Sequence, residues 1–170
     1  MANTYQLIEA KTLSSSTSSV TFSSIPQTYT DLKMLVSART DRSGQDNDAL
    51  YISINSNTSN LTSKLLEGIG SGTPNSYTAS GTIKVFPIVG STATANTFGN
   101  GEIYFSNYTI SQYKSFIGDG VNENNATQAI AGLSANLWSD NAGITSLTFT
   151  AIGTNFISDS TFYLYGIKKN

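Results

Sequence analysis

The chain contains no histidine and no cysteine, and these two absences close most routes to catalysis. Without histidine there is no Ser-His-Asp or Cys-His relay, and the commonest ligand for zinc, copper and non-haem iron is missing. Without cysteine there are no disulfides, no thiolate ligands and no redox chemistry, so the fold must rest on packing. Charge is also scarce. Only 12% of the 170 residues are Asp, Glu, Lys or Arg, and the net charge is −2. The nine basic residues are dispersed, leaving no stripe that could track a phosphate backbone, so nucleic acid is not an expected partner. No apolar run approaches the ~18 residues of a membrane span. Residues 1–16, "MANTYQLIEAKTLSSS", lack the basic and apolar regions of a secretory leader, so a soluble protein made without a cleaved signal is expected.

In place of charge the chain uses Ser, Thr, Asn and Gly, and its dominant pattern is strict alternation of apolar and polar residues. In residues 31–39, Leu32, Met34, Val36 and Ala38 share one parity while Lys33, Ser37 and Arg39 share the other. This is a strand with one buried face. The same period recurs at 5–9, 19–23, 50–54, 83–89, 103–110, 115–121, 129–138, 144–152 and 161–167. Roughly ten strands separated by Gly, Asn, Ser and Asp clusters predict one all-β domain over residues 1–170, an antiparallel sandwich or barrel. "NLTSKLLEGIG" (60–70) has leucines near helical spacing and is read as a short strand or loop. "SSIPQTY" (23–29) is read as a corner, where Pro26 removes a ladder donor and Tyr29 packs across before Leu32 starts the next strand.

Several stretches imitate functional motifs. Ser111-Gln-Tyr-Lys114 matches S-x-x-K and Ser139-Asp140-Asn141 matches S-D-N, but the K-T-G partner is missing and Ser111 lies between strand patterns rather than at a helix start. Coincidence is the simpler account in a chain rich in Ser and Asn. Glycoside hydrolysis needs two carboxylates at controlled separation. Glu67, Glu102, Asp119, Glu123 and Asp140 show no such pairing in the sequence, and acidic residues at strand ends are usually just solvated. Asp41, Asp46 and Asp48 could offer oxygen ligands to an ion such as Ca²⁺, but without EF-hand spacing a solvated loop is the plainer reading. "EGIGSG" (67–72) is a Gly-rich turn with no following helix to make it a phosphate cradle. No catalytic, cofactor-binding or metal-binding residue is assigned, and no cofactor is expected.

The aromatic residues leave one alternative open. Tyr104 and Tyr108 share a parity within the predicted strand 103–110, and Trp138 ends another beside Asp140 and Asn141. Rings beside Asn and Asp suit carbohydrate stacking, so these three are the candidate sugar-contact residues. Core packing is the competing reading, and the preferred one for Trp138.

Five stretches together resemble the virion structural proteins of tailed bacteriophages, especially those of marine and cyanobacterial hosts. They are "VTFSSIPQTYTDL" (20–32), "GEIYFSNYTISQYKSF" (101–116), "ENNAT" (123–127), "LWSDNAGITSL" (137–147) and "LYGIK" (164–168). The resemblance spans nearly the whole chain. It implies a jelly-roll-like β-sandwich displayed on the virion surface after synthesis in the bacterial cytoplasm. The implied role is non-enzymatic: a capsid decoration (cement) protein that binds the major capsid protein or other virion proteins and works as a homo-oligomer, for instance a trimer. The alternative it implies is a fibre or receptor-binding module that recognises host-surface carbohydrate. It carries no catalytic residues to transfer.

Overall fold

The computed structural model describes residues 4–70, 72–125 and 128–168. Among them are twelve strands and no helix: β1 Tyr5–Thr12, β2 Ser19–Phe22, β3 Asp31–Ala38, β4 Asn47–Ile54, β5 Leu61–Ile69, β6 Asn75–Ser80, β7 Ile83–Val89, β8 Gly99–Phe105, β9 Lys114–Val121, β10 Ile130–Trp138, β11 Leu147–Thr150 and β12 Thr161–Ile167. The alternation in β3 translates directly into burial. Leu32, Met34, Val36 and Ala38 are buried, while Lys33 and Ser37 point the other way.

The strands form an eight-stranded sheet, β1-β12-β3-β8-β9-β10-β5-β6, and a four-stranded sheet, β2-β11-β4-β7, with every neighbouring pair antiparallel. With the hairpins β5–β6 and β9–β10 set aside, eight strands remain, and they pair in nested fashion: β1 with β12, β2 with β11, β3 with β8, β4 with β7. Nested pairing of this kind, folded over into two four-stranded sheets, is the jelly roll. The two extra hairpins then extend the larger sheet beyond β8.

That extension covers β7, the edge of the smaller sheet, and glycines make the close approach feasible. A Cβ on Gly120 would lie 2.6 Å from the Phe86 ring, and one on Gly132 would lie 2.7 Å from Pro87 Cδ. Gly118 is equally crowded by Val85. Five of the seven residues of β7 are consecutive and buried, Val85 to Val89, so this strand lacks the one-sided alternation of an exposed edge. The core between the sheets contains Phe22, Phe149, Phe156 and Phe162 in ring contact, and Phe105 stacked on Phe116 at 4.8 Å.

The 23–29 stretch is a corner, as its sequence suggests. Gln27 Nε2 donates to the carbonyls of Ile25 and Ile144, the Tyr108 hydroxyl donates to the Pro26 carbonyl, and the Tyr29 ring lies on Gly166, where any Cβ would collide with it. Some predicted boundaries are corrected. Residues 60–70 give a full nine-residue strand, 103–110 stops at Phe105, and 144–152 contributes only Leu147–Thr150. The 67–72 turn reading includes Ser71, and the 123–127 stretch includes Ala126 and Thr127; these three residues lie outside those described.

Candidate functional site

Alternation on β9, β10 and β5 sends one set of side chains to the outer surface of the larger sheet, away from the core. Leu133 is 53% exposed and sits in register between Asp119 on β9 and Leu66 on β5, which is also 53% exposed. Ile117, Val121, Ala131 and Ala135 complete a contiguous exposed apolar patch around it. Two charges interrupt the patch, one on each strand beside β10. Lys64 on β5 donates to the Thr78 hydroxyl at 2.7 Å, and Asp119 on β9 faces Glu102 across the β8–β9 ladder. Glu102 is already paired to Lys33 at 2.7 Å. Neither Lys64 nor Asp119 has an ion-pair partner among the described residues. Burial, reinforced by Glu102, pushes the Asp119 carboxyl above the usual range.

The residues singled out as sugar contacts do not converge. Tyr104 lies on β8 with its hydroxyl donating to Asp31 Oδ2 at 2.6 Å, and this bond raises its pKa to about 12. Tyr108 is not on that strand. Asp31 Oδ1 accepts from the Asn107 backbone N–H in the turn after β8, so the parity argument fails, and the Tyr108 ring is fully buried. Trp138 is buried on the core side of β10. Two of the three rings therefore present no face to a ligand.

The aspartates of the 41–48 loop are occupied by protein donors. Asp48 is buried and accepts from the Thr40 and Thr154 hydroxyls, the Ala49 N–H and Arg42, while Asp41 accepts from Asn155 and Asp46 from Asn47. Among the described residues no group of three His, Cys, Asp or Glu side chains could hold a metal ion. Ser111 is exposed in the turn before β9, whereas Lys114 is buried, so the S-x-x-K spacing brings no nucleophile to a base.

A cleft of about 350 Å³ opens where the β5–β6 hairpin meets the β4–β7 edge of the smaller sheet. Alternation along β5 turns Leu61, Ser63, Leu65 and Glu67 toward the core, so two polar residues occupy positions where leucines would be expected. Glu67 is buried and forms an ion pair with Lys84 of β7. Ser63 Oγ is buried with no hydrogen-bond partner among the described residues. Tyr77 of β6, 48% exposed, and Tyr51 of β4 stand at the walls. Burial, with the charge of Asp48 adding to it, raises the Tyr51 phenol above its ordinary value. Sequence reading missed this cleft because its residues come from four strands. The available signal was the intrusion of Ser63 and Glu67 into an apolar parity.

No family model, curated protein or solved structure matches this chain.

Proposed function

We propose that this protein is a non-enzymatic structural protein of a tailed-phage virion, a capsid decoration protein that works as a homo-oligomer through the outer face of its larger sheet. The carrying observation is the exposed apolar patch around Leu133, with an uncompensated Lys64 on one side and an uncompensated Asp119 on the other. Exposed patches of this kind mark interaction surfaces. β5 and β9 flank β10, so a two-fold axis along β10 would exchange the flanks, seating Leu133 against its own copy and bringing each Lys64 toward the partner's acidic side. The natural unit of this contact is a two-fold pair; a trimer would need a different, heterologous contact. The jelly-roll topology and the whole-chain resemblance to phage virion proteins supply the setting, with the major capsid protein as the further partner.

Sedimentation velocity tests the contact. The wild-type chain is expected to sediment as a dimer or higher even-numbered oligomer, and Leu133→Asp as a folded monomer with an unchanged circular dichroism spectrum. A wild-type monomer at high micromolar concentration overturns the interface. Deleting the gene tests the role: heads that lose heat stability support decoration, and stable heads that no longer adsorb to cells overturn it in favour of receptor binding.

A further inference from the structure

We propose that the cleft between the β5–β6 hairpin and the β4–β7 edge binds a neutral polyhydroxylated ligand, one or two sugar rings in length. The inference is independent of the virion reading and of the outer face, because the cleft lies on the opposite side of β5 from Leu66. Its charges sum to zero: the Glu67 carboxylate and Lys84 ammonium are in contact. An anion drawing Lys84 away would leave the buried Glu67 carboxylate uncompensated, and a cation would meet the Lys84 ammonium already seated on that carboxylate, which disfavours a charged ligand.

A sugar asks for no such separation. Hydroxyl groups both donate and accept, so one can donate to the carboxylate while a neighbour accepts from the ammonium. Ser63 is the third polar contact. The residue is 3% exposed and lines the cleft, and its hydroxyl has no partner among the described residues, where buried hydroxyls are ordinarily satisfied. The rings of Tyr51 and Tyr77 add apolar faces with polar tips, the surface on which the C–H side of a sugar ring stacks. A volume of about 350 Å³ lies at the small end of ligand pockets, which limits the occupant to one or two rings.

Nuclear magnetic resonance titration with glucose, galactose, N-acetylglucosamine and their β-linked disaccharides tests the site. At least one sugar is expected to shift the amides of Ser63, Tyr77 and Lys84. Tyr77→Ala, at a half-exposed position, is expected to weaken that binding about tenfold without lowering the melting temperature. Ser63→Ala separates binding from folding: removing an unpartnered buried hydroxyl leaves the melting temperature equal or higher, yet sugar affinity falls. Leu133→Asp is expected to bind sugar like the wild type. Absence of any shift at high millimolar sugar, or binding that both cleft variants leave intact, overturns the proposal.

Discussion

The ammonium of Lys114 sits 5.2 Å from the centre of the Trp138 ring, its register partner on the neighbouring strand, and both side chains are buried on the core side of the larger sheet. Nζ also donates to the carbonyls of Asp140 and Ala142, so a charge in the interior is satisfied by one ring and two backbone acceptors. Lys114→Ala removes all three contacts and leaves a cavity, with an expected loss of about 3 kcal/mol. Trp138, the single tryptophan, reports it directly in denaturant unfolding, because its buried indole emission shifts to the red when the chain unfolds. Burial lowers the Lys114 pKa below its ordinary 10.5. The unfolded chain therefore binds this proton more readily, and the group's contribution to stability rises with pH toward 10.5. The alanine variant should lose that slope.

Glycine at the contact with β7 gives a second prediction. Gly120→Ala drives a Cβ into Phe86 and is expected to cost about 1–3 kcal/mol, read as a lowered melting temperature. Gly68→Ala is the control, since nothing lies within 4 Å of its Cβ position on the outer face. Equal melting temperatures for the two variants would mean that β7 is not packed against the extension as described.

The register of β3 is tested by two charge substitutions. Val36→Asp buries an unpaired carboxylate and is expected to cost about 4 kcal/mol or more. Lys33→Glu replaces the 2.7 Å pair with Glu102 by repulsion on a partly exposed surface, a loss of about 1 kcal/mol or less. Denaturant midpoints in the reverse order would put β3 in the opposite register.

Alkaline titration is expected to divide the nine tyrosines. Tyr104, held by its hydrogen bond to Asp31, ionises near pH 12, and burial delays Tyr51 and Tyr108 as well. All three are raised above the ordinary 10, so the associated stability is complete below pH 10 and is lost as pH climbs through the folded values, about 12 for Tyr104. Ultraviolet difference spectra of Tyr104→Phe should lack one of the latest phenols. A single transition for all nine in the folded protein contradicts the assignment.

Period-two alternation made the all-β class and the facing of Leu32, Met34 and Val36 legible, because a one-sided strand writes its burial into its sequence. β6 was invisible for the converse reason: "NSYTAS" is almost wholly exposed, so no apolar face marks it. The strand at 60–70 was read as short, or as a loop, because Ser63 and Glu67 hide the alternation in which Leu61 and Leu65 take part. Tyr104 and Tyr108 were assigned to one strand because nothing in "FSNYT" reveals that Asp31, far away in sequence, caps the turn at Asn107. The facing of Glu102 and Asp119 escaped for a similar cause, since it exists only in the β8–β9 register.

Pairing of β1 with β12 also bears on the order of events during synthesis. Thr12 finds its ladder partner in Thr161, and Tyr5 finds its own in Ile167, so of the twelve strands the earliest made is completed by the latest. β2 waits likewise for β11. Such non-local closure belongs to the slow regime of folding, milliseconds to seconds. A chain broken off before β12 leaves β1 and one edge of β3 without hydrogen-bond partners, exposed to the proteases and chaperones that recognise unfinished sheets.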